Sequence, residues 1–355
     1  MNDATSQAAS RFIEPLIEKL RRHPKRVVFT EGEDLRILRV AERLVAEQAV
    51  VPILLGDRAR ILGMASDEGI NMRFVKVINP ASSSDFDLFR ARLEKTARYR
   101  GRSPSAVAEL VGRPHYFGAM MTQYGQADAL VGGNLAMPST LFRAVIHAIK
   151  PMPSIPKLFG VTALSAPHLE HFGGNGVLFL ADTGLVPDPS VEELATIAVE
   201  TGKLARHFLG RAPRVALLSH STKGSAVTEP ARRVAAAAVL AREKASAEAL
   251  DFRIEGELQA DVALDPAACE VKLPGNRFKS ADVLVFPSLD AAHISMKLLQ
   301  HCAGAQNFGQ FLVGMARPLA QVPRTASEDT LYGTAAAVAV EAIKAHELYP
   351  DGEVS

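Results

Sequence analysis

The sequence predicts an α/β protein built from two domains, each with a mainly parallel sheet. Three observations carry this. Apolar runs of strand length alternate with helical patterns through both halves of the chain. The strand ends open into loops of Gly, Ser, Thr and Asp, where open α/β sheets gather their ligands. At 355 residues the chain is long enough for about two domains, and a proline-rich run at 150–156 interrupts it. We therefore expect one domain from residues 1–153 plus 315–355 and a second from 154–314.

Residues 1–25 have Phe12, Leu16, Ile17 and Leu20 at helical spacing and predict an amphipathic helix. Residues 26–30 predict a strand, 35–48 a helix, and 50–55 and 73–78 two further strands. Helices are expected at 85–99, 103–111 and 116–124, then a strand at 127–131 and a helix from Ser139 to about 149. In the second half, strands are expected at 157–161, 176–180, 214–218, 253–257 and 282–286. Helices are expected at about 190–209, 226–244 and 290–302. Ser190 and Glu193 have capping-box spacing, which fixes one helix start. An apolar segment at 311–315 precedes a last helix from Ser327 to about 346, and the tail after 349 is polar.

Composition narrows the function. Apolar residues make 48% and charged residues 22%, the balance of a globular protein. A net charge of +1 argues against broad nucleic-acid binding, which needs a concentrated basic surface. Cys269 and Cys302 stand alone, so no disulfide framework exists and a reducing cytoplasm is expected. The start carries no basic-then-apolar signal pattern. No apolar run approaches the ~18 residues that span a bilayer. Metal-ligand spacing, a Walker A motif and G-x-G-x-x-G are all missing from the sequence.

Five strand ends carry small polar residues: 30–32, 132–134, 181–184, 219–225 and 287–290. Singly each is a turn; together they predict a polar cleft at the carboxyl edge of the sheets. The 219–225 loop is the richest, with Ser219, His220, Ser221, Thr222, Lys223, Gly224 and Ser225 after an apolar strand. Its hydroxyls and backbone N–H groups suit an anion. His220 reads as a hydrogen-bonded loop residue rather than a general base. Arg98, Arg143 and Arg324 stand near such loops or at helix starts. A lone arginine is ordinarily a solvated charge, but its rigid donor fork also matches phosphate oxygens.

As a set, these segments resemble the phosphate acetyltransferase/phosphate butyryltransferase family from about residue 26 to residue 343. The pieces are TEGED at 30–34 with Arg36, YFGAMM at 116–121, ADALVGG at 127–133, ADTGLVPDP at 181–189, ALLSHSTKGS at 216–225, EGELQAD at 255–261 and ADVLVFPSLD at 281–290, which ends on Asp290. The resemblance implies reversible acyl transfer between acetyl-CoA and phosphate, with coenzyme A as substrate and no further cofactor. It also implies two α/β domains around an interdomain cleft, an architecture shared with isocitrate and isopropylmalate dehydrogenases, and a homodimer.

By position, the family's CoA- and phosphate-related arginines fall on Arg98 and Arg143. Its Ser-Arg pair falls on Pro323 and Arg324. The family's aspartate in the last helix, the base for the CoA thiol, falls on Thr330, with Asp329 one residue earlier and about 100° around the helix. The usual tyrosine of the serine loop is His220. The resemblance thus assigns Arg324, Asp329 and Ser221 to catalysis. Arg98, Arg143, Ser219, His220, Thr222, Lys223, Gly224, Ser225 and Asp290 are assigned to substrate binding. The departures at 220, 323 and 330 keep a catalytically silent acyl-CoA-binding regulator as an alternative, with phosphate butyryltransferase another. A decarboxylating dehydrogenase is disfavoured, because a metal-binding aspartate set and a nucleotide signature are both missing.

Overall fold

The computed structural model describes residues 3–96, 99–166, 172–173, 176–276, 278, 280–343 and 345–348. The chain forms two compact units: residues 1–12 with 154–314, and 13–153 with 315–355. The boundary between them falls inside the first helix, α1 (Asp3–Arg22).

In the unit containing residues 13–153, five parallel strands lie in the order β3 (Lys76–Ile78), β2 (Val50–Leu55), β1 (Lys25–Phe29), β4 (Ala129–Gly132) and β11 (Leu319–Gln321). Their side chains are apolar on both faces: Val27, Val28, Phe29, Leu130 and Val131 are all fully buried. Such strands are buried because helices cover both sides of a parallel sheet. The helices here are α2 (Leu35–Ala46), α3 (Arg58–Asp67), α4 (Phe86–Lys95), α5 (Pro104–Val111), α6 (Pro114–Gln123), α7 (Pro138–Ala148), α13 (Glu328–Glu341) and α14 (Ala345–Leu348). Helix α2 buries Ile37, Leu38, Ala41 and Leu44 on one stripe and starts at the cap Asp34. Helix α6 lies so close to the sheet that a Cβ on Gly118 would stand 2.9 Å from Thr30 Cγ2.

In the other unit the strand order is β10 (Gln306–Val313), β5 (Phe159–Ser165), β6 (Val177–Ala181), β9 (Val283–Val285), β7 (Arg214–Leu218) and β8 (Arg253–Leu258). Strand β5 runs antiparallel to both its neighbours, whereas β6, β9, β7 and β8 are mutually parallel. The helices are α8 (Val191–Leu209), α9 (Glu229–Ala247), α10 (Ala260–Leu264), α11 (Pro266–Lys272) and α12 (Leu289–Cys302). The capping box of α8 forms: the Glu193 N–H donates to Ser190 Oγ, and the Ser190 N–H donates to Glu193 Oε2. Residues 1–12 belong here because Phe12 stacks on Phe308 at 4.9 Å and meets Phe208 edge-on at 6.0 Å. The fold is the expected α/β class with mostly parallel strands.

Several boundaries differ from expectation. The strand expected at 73–78 begins only at Lys76. Phe74, at φ 68°, cannot extend it. Helix α9 starts at Glu229 rather than 226, because Thr228 caps it and Pro230 occupies its first turn. Strand β10 spans 306–313 and takes in only part of the apolar segment read at 311–315. Helices α3, α10 and α11 and strand β11 were not anticipated.

Candidate active site

The loop after β1 is organised by two carboxylates. Glu31 is buried. Its oxygens accept the N–H groups of Gly133 (2.7 Å), Leu135 (3.2 Å) and Ala136 (2.6 Å) and face His115 Nε2 at 3.2 Å. Burial alone pushes the Glu31 carboxyl up. The His115 contact and the loop N–H donors outweigh it and hold the group below the usual carboxylate range. Asp34 accepts from Arg36 N, Nε and Nη2 and from Asn134 Nδ2. Burial opposes its ionisation too, and Arg36 and Asn134 overcome that.

Arg36 then reaches across the chain. Its Nη1 donates to the carbonyls of Arg324 (3.0 Å) and Ala326 (2.7 Å), and its Nη2 to Asn134 O (3.0 Å). One guanidinium therefore fixes the loop after β4 and the segment before α13. Arg324 is held by its backbone, while its side chain is exposed and has no partner among the described residues. Pro323 accepts the Ala326 N–H, closing a turn. Ser327 caps α13 by accepting from Thr330 N, and its hydroxyl meets Thr330 Oγ1 at 3.2 Å. Asp329 turns toward α2, where Arg43 Nη1 stands 3.1 Å from its carboxylate and the same guanidinium lies over the Tyr332 ring.

Helices α6 and α7 of the same unit enclose a cavity of about 90 Å³ lined by Arg113, His115, Tyr116, Ser139, Thr140 and Arg143. Met137, the N-cap of α7, contributes no side-chain cap, so the helix start brings its positive end and two hydroxyls to the cavity. Arg113 is paired with Glu109 at 2.6 Å. Arg143 has no partner among the described residues. The Tyr116 hydroxyl meets His147 Nδ1 at 2.8 Å and Tyr99 at 3.1 Å. Burial, with Tyr99 next, pushes the Tyr116 phenol well up, so it stays neutral. Two guanidinium groups, two hydroxyls and a helix start suit an anion of phosphate size. Arg98, expected nearby, lies outside the described residues.

The serine loop lies in the other unit. Ser221 is fully buried. Its hydroxyl donates to Glu257 Oε1 at 3.0 Å and accepts from Ala226 N at 3.0 Å. It is a tie inside the loop rather than a group open to substrate. Five loop N–H donors are likewise committed: Ser219 to Leu258 O, Ser221 to Ser219 Oγ, Thr222 to Ser225 Oγ, Lys223 to Glu257 O, and Gly224 to Glu257 Oε1. The buried Glu257 carboxylate accepts one of these N–H groups, that of Gly224, together with the Ser221 hydroxyl. Thr222 Oγ1 accepts from Gln259 N, and Lys223 Nζ reaches Glu255 at 2.9 Å. Gly224 has φ +85°, which a side chain would strain. Ser225 Oγ lies 3.4 Å from Ser221 Oγ. His220 is exposed and pairs with Thr228 at 3.2 Å, as a loop residue does. Asp290 sits exposed in the first turn of α12, beside the cap Ser288.

Two compact α/β units with these strand-end loops match a known family. The profile of phosphate acetyl/butaryl transferase fits residues 11–339. The chain belongs to that family. The phosphate acetyltransferase of Acetivibrio thermocellus is 32% identical over 93% of this chain and 98% of its own. That of Thermoanaerobacterium thermosaccharolyticum is 34% identical over 93% of this chain and 99% of its own. Among solved structures, the EutD phosphotransacetylase from Staphylococcus aureus superposes with a TM-score of 0.84 at 32% identity, covering 94% of this chain and 99% of its own. A phosphotransacetylase from Streptococcus pyogenes also gives 0.84, at 29% identity, over 94% and 98%. Within this phosphate acyltransferase scaffold, sequence reasoning missed Glu31 as an organiser and Arg113 and His115 as cavity residues. The available signal was that 113 and 115 directly precede the YFGAMM motif.

Proposed function

We propose that this chain is a phosphate acetyltransferase, moving an acetyl group reversibly between CoA and inorganic phosphate. The observation that carries the reading is likeness to phosphate acetyltransferases at 32–34% identity over 93% of the chain. A phosphate oxygen attacks the thioester carbonyl, and negative charge develops on the carbonyl oxygen before the thiolate leaves. The exposed, unpaired guanidinium of Arg324 is assigned to that charge. Arg143, Ser139 and Thr140 are assigned to a phosphate group of the substrates. Asp329 is assigned to the CoA thiol proton, which requires it to leave Arg43. No cofactor beyond CoA as substrate is proposed. No described helix is long and apolar enough to cross a membrane; a cytoplasmic homodimer is proposed.

The test mixes protein, acetyl-CoA and phosphate and follows free thiol. Phosphate-dependent release is expected, and Arg324→Ala should lower it by about 100-fold or more. Protein that releases no thiol from any short acyl-CoA removes the reading. The lack of a carboxylate at Thr330, whose hydroxyl instead meets Ser327, supports a second reading: an acyl-CoA sensor without turnover. It predicts saturable acetyl-CoA binding in calorimetry and no thiol release.

A further inference from the structure

Arg36 spends its whole guanidinium inside the protein. Nε meets Asp34 Oδ1 at 3.0 Å, and Nη2 meets Asp34 Oδ2 at 2.6 Å and Asn134 O at 3.0 Å. Nη1 takes the carbonyls of Arg324 at 3.0 Å and Ala326 at 2.7 Å. Five N–H donors in one plane thus meet five acceptors, three of them peptide carbonyls. The two Nη atoms share one carbon and cannot move apart, so the carbonyls of residues 134 and 324 are kept at one separation. Both carbonyls belong to segments of the proposed site. The loop holding Asn134 is clamped by Glu31 through the N–H groups of Gly133, Leu135 and Ala136, and it runs into α7, which carries Ser139, Thr140 and Arg143. The Arg324 turn leaves β11, where the Val322 N–H donates to Gly132 O, and enters α13 at the cap Ser327. Between those anchors Arg36 holds the turn by two carbonyls.

We propose that Arg36 is a positioning residue for acyl transfer: its planar fork sets where the Arg324 guanidinium stands relative to Ser139, Thr140 and Arg143. With every side-chain N–H committed to the protein, Arg36 has none left for substrate. It acts through the backbone of residues 134, 324 and 326, and a cation of another shape cannot take its place. A lysine ammonium keeps the charge beside Asp34, but its donors sit on one nitrogen and form no fork. The inference rests on the acyltransferase reading and on the role assigned there to Arg324.

The experiment follows thiol release from acetyl-CoA with phosphate for full-length wild type, Arg36→Lys, Arg324→Ala and the double variant. Arg36→Lys is expected to lower kcat by about 10- to 100-fold, the cost of misplacing a group that acts in the transition state, and to leave the KM of both substrates within about twofold. In the Arg324→Ala background the same lysine should cost less than about twofold, since the group it misplaces is gone. A merely structural role gives a different result. Partial unfolding removes active molecules in equal proportion from either background, so the loss is then the same factor in both. Equal loss in the two backgrounds therefore overturns the proposal, and so does a kcat equal to wild type. A rise in KM of more than about tenfold with kcat unchanged also overturns it, because Arg36 would then act in binding. If the lysine variant does not fold, Arg36→Gln combined with Asp34→Asn replaces it. That pair leaves no charge alone in the loop and keeps a residue able to cap α2. Wild type without thiol release removes the acyltransferase reading and this inference together, whereas turnover in wild type with an uncoupled Arg36 removes this inference alone.

Discussion

Ser221 and Asp282 illustrate what single side chains do here. Ser221 ties the serine loop to Glu257 from a fully buried position. Ser221→Ala should therefore lower stability by about 1–2 kcal/mol, read as a drop in the urea midpoint. An unchanged midpoint with a large loss of thiol release would instead support the catalytic role expected of it. Asp282, fully buried at the start of β9, accepts from Arg211 and Arg214. Burial pushes its carboxyl up, and the two arginines more than offset this, so its folded value lies below the ordinary one. A carboxyl depressed by folding stabilises above its unfolded value of about 4, and that contribution fades as pH falls through the folded value. The penalty of Asp282→Asn should accordingly be larger at pH 7 than at pH 3. Equal penalties at the two would mean the arginines do not act through charge.

Between secondary-structure elements, close approach decides tolerance. Gly118 brings α6 onto Thr30, Leu55 and Leu130. Gly118→Val should destabilise by about 1–3 kcal/mol through overpacking, and unchanged urea unfolding would disprove the tight contact. How much of the structure could be read beforehand follows from pattern strength. Strands β2 and β6 are unbroken apolar runs, β1 and β7 are apolar after basic first residues, and α8 announces its start through Ser190 and Glu193, so these were legible. Helix α3 buries only Ile61 and Ala65 and leaves little periodicity to detect. Helices α10 and α11 and strand β11 are 5, 7 and 3 residues long, too short to carry a period. In the site, Arg143 and Arg324 stood out as cations beside motif loops. The Glu31–His115 pair did not, because its partners lie 84 residues apart and meet only once α6 docks beside β1. Glu257 was overlooked for a similar reason: it lies 36 residues beyond the serine it holds.

At the level of the whole molecule, α1 contributes to both units, and Phe12 is its contact with the aromatic cluster of Phe208 and Phe308. Phe12→Ala should cost about 3 kcal/mol, and a midpoint equal to wild type would show that the first turns of α1 contribute nothing. A different lesson comes from Arg36, which grips residues 324 and 326 by their carbonyl oxygens and ignores their side chains. The path of the chain beneath Arg324 is thus dictated from 288 positions away, independently of which amino acids occupy it. Side-chain chemistry and backbone course are separable there. Pro323→Ser and Thr330→Asp, the residues that the family resemblance implies at these positions, can therefore be introduced one at a time on a fixed rail and the contribution of each weighed against an otherwise constant scaffold.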